Sequence, residues 1–313
     1  MSWRRKGEIL SVEAERSLAR LEQQFGRWLP CCWTPYELMN YFGLCYTFLV
    51  VVVLLAANAL FACPAVHGTA GCQTPVNFGL FVVFQIVANL ACFHYCARFN
   101  RISAQMPGTL RQQQPDSDWT RFCASCNETV PRRSHHCPLC RYCVLRKDHH
   151  CFMTGGCVGF GNQRYFIGFL LWATVGAFYG TWYTFDYLDT LYKPFWPLGW
   201  IDYIAPIALK KWLFLQHCSV MDLAMCMLFS IGIGSAFGAL GFLCAQLYFA
   251  VLGTTMYDYS QKRFDGGRSV NQRLRLLFGD YYLLNILLPQ PWFRNRMSAE
   301  MTSALYGEYL KDI

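Results

Sequence analysis

The feature that most limits how this chain can fold is a run of 60 consecutive residues, 38–97, that contains no Asp, Glu, Lys or Arg. Two apolar stretches within it, 41–62 and 76–97, each have the roughly 20 residues that a helix needs to cross a bilayer. The loop between them contains Pro and Gly, which favour turns. We therefore expect two transmembrane helices here, and Cys63 and Cys72 in their connecting loop could pair.

Two later uncharged runs, 165–185 and 223–257, predict a third and a fourth transmembrane helix. The stretch 194–218 is also apolar, but prolines, Asp202 and two adjacent lysines interrupt it, so we expect a loop or a re-entrant segment there. The predicted fold class is an all-α polytopic membrane protein with four transmembrane helices.

The overall composition agrees with this prediction. Hydrophobic residues make up 54% of the 313-residue chain and charged residues only 15%, whereas soluble domains have about 25% charged residues. The composition therefore excludes an ordinary soluble domain, and the apolar fraction is too high for a disordered chain.

Lys and Arg are distributed unevenly along the chain: 10 of the 27 lie in 98–164 and none lies in the loop 63–75. Positive residues stay on the cytosolic side of short loops. We therefore expect both termini and 98–164 to be cytosolic and 186–222 to be luminal. The net charge of +8 is then a topology signal plus attraction to anionic headgroups, and it gives no reason to expect nucleic acid as a partner.

Seven of the 17 cysteines fall in 123–157, inside the predicted cytosolic loop. The cytosol keeps thiols reduced, so dense Cys with interspersed His indicates metal binding or catalysis. With the four histidines of this segment there are eleven candidate ligands, and two four-ligand zinc sites would leave three spare. Spacing alone does not say which His binds zinc and which is free to act as a base beside a cysteine. The eleven are Cys123, Cys126, His135, His136, Cys137, Cys140, Cys143, His149, His150, Cys151 and Cys157.

This segment resembles the DHHC cysteine-rich domain of the protein S-acyltransferases, or palmitoyltransferases. The family pattern is Cys-x2-Cys-x9-His-Cys-x2-Cys-x2-Cys-x4-Asp-His-His-Cys-x5-Cys-x4-Asn-x3-Phe. It is filled without a gap by Cys123, Cys126, His136, Cys137, Cys140, Cys143, Asp148, His149, His150, Cys151, Cys157, Asn162 and Phe166.

The predicted spans and the charge distribution, together with the resemblance, give a domain order along the chain. It comprises a cytosolic N-terminal segment (1–40), helices 1 and 2 (41–97), the cytosolic DHHC zinc domain (98–164), helices 3 and 4 with a luminal loop (165–252) and a cytosolic C-terminal segment (253–313). The resemblance also implies two structural zinc ions, whose ligands alternate along the sequence. Cys123, Cys126, His136 and Cys143 would hold one ion, and Cys137, Cys140, His150 and Cys157 the other.

The resemblance further implies a two-step acyl transfer. Cys151 would accept a fatty acyl group from acyl-CoA and pass it to a cysteine of a substrate protein near the membrane. His149 would take the thiol proton and Asp148 would orient His149. Thr254 and Thr255 follow the fourth predicted span, and one of them would support Asp148.

Contacts to the co-substrate are expected from two kinds of side chain. Arg132, Arg133, Lys147 and Arg164 could meet the phosphates of acyl-CoA, such as palmitoyl-CoA, or could offset the charge of zinc-bound thiolates. Phe152 and the helix after residue 164 could border an apolar cavity for the acyl chain, with Gly176 among its small residues. The alternative for those small residues is close helix packing.

The sequence departs from the family pattern around the core. Met106-Pro107-Gly108 lacks the usual Asp, Thr254-Thr255-Met256-Tyr257 lacks the usual Glu, and Arg273 stands where an Asn is expected. These departures keep open a catalytically silent zinc scaffold or adaptor in the membrane. The resemblance also implies a location in the endoplasmic reticulum or Golgi.

Overall fold

The computed structural model of the protein describes residues 35–101, 120–131, 133–215, 219–261 and 269–289. The 1–27 region and the Met106-Pro107-Gly108 motif lie outside the described residues. The helices are α1 (Pro35–Ala57), α2 (Cys63–Gly71), α3 (Gln73–Ala97), α4 (Gln163–Tyr187), α5 (Ala205–Leu215), α6 (Val220–Leu252), α7 (Met256–Ser260), α8 (Val270–Phe278) and α9 (Tyr282–Leu287). The strands are β1 (Thr120–Cys123), β2 (Glu128–Pro131), β3 (His135–Cys137), β4 (Tyr142–Val144), β5 (His149–Cys151) and β6 (Gly156–Val158).

Three helical segments among the described residues are long and apolar enough to cross a membrane: Glu37–Gly71, Gln73–Asn100 and Val220–Leu252. They include α1, α3 and α6, which correspond to the first, second and fourth predicted spans. Cys63 and Cys72, between α1 and α3, form a disulfide with a Cα–Cα distance of 5.8 Å. The chain is therefore mostly helical, with the membrane character that its composition predicts.

Helix α4, at the third predicted span, is less apolar than these three but lies deeper in the protein. It packs against both α3 and α6. Its inner face carries buried threonines at Thr174, Thr181 and Thr184, and Thr184 donates a hydrogen bond to Asn58 Oδ1 at 3.1 Å. Because protein surrounds much of this helix, Thr184 finds a partner on another helix that lipid could not provide.

The cysteine-rich region contains the strands. They form three separate antiparallel hairpins, β1–β2, β3–β4 and β5–β6. Two registers place a His opposite a Cys: His136 faces Cys143, and His150 faces Cys157. These short hairpins, joined to the helices through a buried cluster that includes Phe93, Val158 and Phe166, position the candidate site.

The apolar stretch 194–218, predicted as a loop or re-entrant segment, contains a short helix, α5, which packs on α6. Asp202 precedes α5 and is only 4% exposed. Its carboxylate accepts hydrogen bonds from Lys193, at 2.5 Å, and from Lys211. This buried carboxylate ties α5 to the chain that follows α4.

Candidate active site

The hairpins bring the Cys and His side chains of this region together in two groups of four. Each group combines the Cys-x2-Cys turn of one hairpin with the cross-strand His–Cys pair of the next. Asn127 and Arg141, with φ of 52° and 59°, adopt the left-handed conformation just after these two turns. The first group is Cys123, Cys126, His136 and Cys143, and the second is Cys137, Cys140, His150 and Cys157. These are the two sets that the resemblance implied.

The donor geometry of both groups fits zinc. Tetrahedral zinc with Zn–S of about 2.3 Å and Zn–N of about 2.0–2.1 Å has donor–donor distances of about 3.5–3.8 Å. In the second group, His150 Nδ1 lies 3.6, 3.4 and 3.5 Å from the sulfurs of Cys137, Cys140 and Cys157. In the first group, all ligand atoms lie within 4.8 Å of one another. Both clusters could therefore bind a zinc ion.

A residue outside the cysteine-rich region orients one of these histidines. Asn40 Oδ1, on α1, lies 3.0 Å from His150 Nε2. A ligand histidine commonly bonds its second ring nitrogen to a neighbouring acceptor, which fixes the ring and its tautomer. With Nδ1 among the three sulfurs, Asn40 makes the Nε2–H tautomer of His150 the favoured one.

Strand β5 separates His150, the candidate metal ligand, from His149 and Cys151. Successive side chains of a strand point to opposite faces, so His149 and Cys151 share one face and His150 lies on the other. Asp148, just before β5, is bonded to His149, with Oδ2 2.6 Å from Nδ1. The structure thus brings Asp148, His149 and Cys151 together beside the second Cys/His group.

Asp148 is 3% exposed, and its carboxylate accepts three hydrogen bonds. They come from His149, from the Met256 backbone N–H at 2.7 Å and from Gln246 Nε2 at 2.8 Å. Burial opposes ionisation, but hydrogen bonds from His149, Met256 and Gln246 hold the pKa of Asp148 below its ordinary value. The carboxylate is therefore ionised beside His149.

The His149 imidazole and the Cys151 thiol affect each other. Burial disfavours the charged imidazole, but Asp148 and Cys151 raise the pKa of His149 to about 9. Burial likewise disfavours the Cys151 thiolate, yet His149 and Thr154 lower the pKa of that thiol. His149 Nδ1 is occupied by Asp148, and its buried Nε2 has no hydrogen-bond partner among the described residues. Nε2 is thus the ring atom available to exchange a proton with Cys151.

Thr254 and Thr255 are both fully buried and follow the end of α6. Helix α6 ends at Leu252, and the next residue, Gly253, has a φ of 71° that turns the chain back toward the hairpins. Thr255 Oγ1 donates to the Lys147 carbonyl oxygen at 3.2 Å and accepts from the Asp258 N–H at 3.0 Å. The expected threonine support of Asp148 thus takes another form: Thr255 holds the adjacent backbone, and the Met256 amide contacts the carboxylate.

An apolar cavity of about 350 Å³ runs between the helices, with Cys151 in its lining. Helix α4 contributes Ala173, Gly176, Ala177 and Gly180 to the wall. Gly176 also lies close to α3, since a Cβ there would come within 2.8 Å of Val82. Gly176 therefore fits both roles expected for these small residues: it borders the cavity, and it allows close packing of α4 against α3.

Phe152 lies elsewhere. It is not part of the cavity lining; its ring lies 5.3 Å from that of His150, and its carbonyl faces Gly43 of α1, where an added Cβ would lie 2.5 Å from the oxygen. The residue next to the nucleophile candidate thus contacts the second Cys/His group and α1 instead of bordering the cavity.

Three of the four basic residues expected at acyl-CoA make contacts within the protein. Arg133 Nε donates to Asp258 at 2.9 Å, and Lys147 Nζ donates to the His136 carbonyl oxygen at 3.1 Å. Arg164 is 4% exposed and lies 4.5 Å above the Tyr165 ring, so its guanidinium is not accessible to a phosphate. Arg132 lies outside the described residues.

Sequence reasoning missed three side chains of this site: Asn40, Gln163 and Gln246. Gln163 and Gln246 are fully buried, and Gln246 is a polar residue inside an otherwise apolar span. A polar side chain within a transmembrane segment is a recognised sign of function, and this signal could have identified Gln246.

The comparisons with known proteins agree with this site. A model of the DHHC palmitoyltransferase family matches residues 116–263. Palmitoyltransferase ZDHHC22 of Danio rerio is 28% identical over 173 residues, which cover 54% of this chain and 57% of that protein. Its counterpart in Mus musculus is 29% identical over 188 residues, covering 58% and 64%. Palmitoyltransferase PFA4 of Saccharomyces cerevisiae is 61% identical over a shorter stretch of 61 residues, 20% of this chain and 16% of that protein.

The chain spans about three fifths of the length of the ZDHHC22 relatives that it matches. The matched family region contains both Cys/His groups as well as Asp148, His149 and Cys151. On this evidence, residues 116–263 of the chain belong to the DHHC palmitoyltransferase family.

Proposed function

We propose that the protein is a protein S-acyltransferase that moves a fatty acyl group from acyl-CoA to cysteines of substrate proteins through a thioester on Cys151. The observation that carries this proposal is the position of Cys151. It lies on the same strand face as His149, which is bonded to a buried Asp148, and it borders an apolar cavity among the helices.

In the first step, His149 takes the thiol proton and the Cys151 sulfur attacks the thioester carbonyl carbon of acyl-CoA. The C–S bond to coenzyme A breaks, and coenzyme A leaves with the proton from His149. In the second step, His149 takes the proton of a substrate thiol, whose sulfur attacks the acyl-enzyme. The bond to Cys151 breaks, and the Cys151–His149 pair returns to its starting state.

Asp148 keeps the His149 ring in place and stabilises its charged form during both steps. Bound zinc would serve structurally, by holding the three hairpins together. Cys123, Cys126, His136 and Cys143 would hold one ion, and Cys137, Cys140, His150 and Cys157 the other. The side chains of Asp148, His149 and Cys151 carry out the chemistry.

The cavity suits the acyl chain because burying each CH2 group away from water is worth about 0.8 kcal/mol. A chain that stays in an apolar phase needs only its thioester to reach the membrane surface. The substrates we propose are therefore proteins whose cysteines lie close to the bilayer. The location we propose is the endomembrane system, with the site on the cytosolic face.

We also propose that α4 is a fourth transmembrane helix. Met256, after α6, contacts Asp148 in the hairpin region, so the chain between them must cross the bilayer an even number of times. Helix α6 provides one crossing, and α4, with 25 residues, is long enough for the other. The same reasoning pairs α1 with α3, since Asn40 and Asn100 both contact this region.

The decisive experiment compares Cys151→Ser with Cys45→Ser, which changes an exposed free cysteine on α1. The purified proteins are incubated with labelled palmitoyl-CoA, and hydroxylamine-sensitive label is measured. We expect Cys151→Ser to lose the label and Cys45→Ser to keep it, with equal zinc content in both. Label that persists in Cys151→Ser would refute the nucleophile, and a zinc-loaded wild type that never forms a thioester would favour the silent scaffold.

A further inference from the structure

A chain of polar side chains, buried except for the half-buried Arg146, connects Asp148 to the helices. Arg146 Nη1 donates to Gln163 Oε1 at 3.1 Å, Gln163 Nε2 donates to Gln246 Oε1 at 3.1 Å, and Gln246 Nε2 donates to Asp148 Oδ2 at 2.8 Å. Gln163 begins α4, and Gln246 lies in the last two turns of α6. We call these four residues the amide relay.

The direction of the amide relay is fixed at both ends. An arginine side chain can only donate hydrogen bonds, and an ionised carboxylate can only accept them. Gln163 must therefore present its oxygen to Arg146 and its NH2 group to Gln246. Gln246 in turn must present its oxygen to Gln163 and its NH2 group to Asp148. Turning either amide over would place two donors or two acceptors face to face in a buried site.

The amide relay ends at Asp148 Oδ2, the same oxygen that is bonded to His149. Asp148 Oδ2 accepts both the Gln246 bond and the His149 Nδ1 bond, while Oδ1 accepts the Met256 N–H. A carboxylate held by three donors from three different elements, β5, α6 and α7, cannot rotate without breaking at least one bond. The amide from α6 thereby fixes the plane in which Oδ2 meets the imidazole.

We infer that Gln246 is a positioning residue for acyl transfer, oriented by Gln163 and Arg146, that holds Asp148 and through it His149 in the geometry needed to activate Cys151. The inference rests on the proposed function. Gln163 and Gln246 do not line the cavity, so their contribution concerns the reactivity of Cys151 and not the binding of the acyl chain.

The test compares Gln246→Met with Gln85→Met, a matched control. Gln85 is also buried in a membrane helix, at 2% exposed, and it shares no hydrogen bond with the amide relay. Two quantities are measured at one pH: the rate constant of Cys151 alkylation by iodoacetamide, resolved by mass spectrometry, and the rate constant and KM of single-turnover thioester formation with palmitoyl-CoA.

We expect Gln246→Met to lower both rate constants about tenfold, as the loss of a hydrogen bond to a charged group suggests, with an unchanged KM. Gln163→Met should lower them less, and the double variant should resemble Gln246→Met, because the two amides act in series. Gln85→Met should resemble the wild type.

Three outcomes would overturn the inference: unchanged alkylation in Gln246→Met, an equal loss in Gln85→Met, or a higher KM at an unchanged rate constant. If zinc content and thermal unfolding show that Gln246→Met does not fold, the inference is tested with Gln163→Met, which leaves all three donors to Asp148 in place. Unchanged rate constants in Gln163→Met would then overturn the inference. Alkylation does not depend on acyl transfer, so a wild type that forms no thioester defeats the proposed function while the relay is still tested.

Discussion

At the scale of single residues, the run from Asp148 to Cys151 shows where the spacing of ligand types stops being informative. The sequence yields eleven candidate ligands and an excess of three, but not the role of each histidine. In the structure, the β5–β6 register places His150 opposite Cys157, within the second Cys/His group, and leaves His149 and Cys151 on the other face. A three-residue strand is too short to be recognised by alternation alone, so this pairing could not be predicted.

Gly43 provides a test at the same scale. A Cβ at Gly43 would lie 2.5 Å from the Phe152 carbonyl oxygen, whereas one at Gly241 on α6 would meet nothing within 4 Å. Because backbone cannot move aside as a side chain can, Gly43→Ala should displace the loop after Cys151 at a cost of about 1–3 kcal/mol. We expect thioester formation to fall several-fold in Gly43→Ala and to be unchanged in Gly241→Ala, measured by single-turnover labelling. Equal rates in the two variants would show that this contact does not hold the loop.

At the scale of elements, hydropathy correctly located three long apolar helices. It gave less information about α4 and about the stretch between α4 and α6, which contains α5. It measures only the preference for lipid, and α4 buries threonines against other helices, while α5 lies in a stretch interrupted by prolines and charges. What organises α5 is Asp202, which accepts bonds from Lys193 and Lys211. Such a pairing depends on which chain segments meet, and local sequence does not reveal it.

Asp202 therefore makes a pH-dependent contribution to stability. Burial alone would raise its pKa, but the hydrogen bonds from Lys193 and Lys211 hold the pKa below its ordinary value. A carboxyl with a lowered folded-state pKa stabilises the fold above its unfolded pKa, about 4, and this contribution disappears as the pH falls through the lower folded value. We expect Asp202→Asn to destabilise the protein by about 1–2 kcal/mol at pH 7.

The measurement is thermal unfolding of the purified protein at several pH values. The gap between wild type and Asp202→Asn should narrow as the pH is lowered below about 5. Glu37→Gln is the control, because Glu37 pairs with Arg141 at 3.1 Å with both side chains exposed, and such pairs contribute little. If the stability difference between wild type and Asp202→Asn stayed constant with pH, the effect would come from altered packing and not from the lost charge.

At the scale of the whole molecule, the helices and the hairpins define each other's positions. Met256 reaches Asp148 from the end of α6, and Asn40 reaches His150 from the start of α1. Cys151 consequently lies where the cavity meets the hairpins, with α4 running away from it along the cavity wall. The order of residues along α4 should therefore correspond to distance from the thioester.

This order predicts how bulky substitutions change the preferred acyl chain. Ala173 and Gly180 both line the cavity, and seven residues of helix separate them by about 10 Å. Ala173→Leu should block the cavity nearer to Cys151 than Gly180→Leu, so it should accept only shorter chains. Gly176 is a poorer choice, because a Cβ there would lie 2.8 Å from Val82 and would disturb the packing of α3.

Competition between acyl-CoA species of 12 to 18 carbons, about the range of common fatty acids, would rank the variants by the chain that each transfers to Cys151. We expect the wild type to accept the longest chains, Gly180→Leu to prefer intermediate ones and Ala173→Leu to prefer the shortest. Since both substitutions lie on the same helix and add the same side chain, a general loss of stability would lower transfer of all chain lengths alike. A shift of equal size in both variants would mean that the acyl chain does not follow α4.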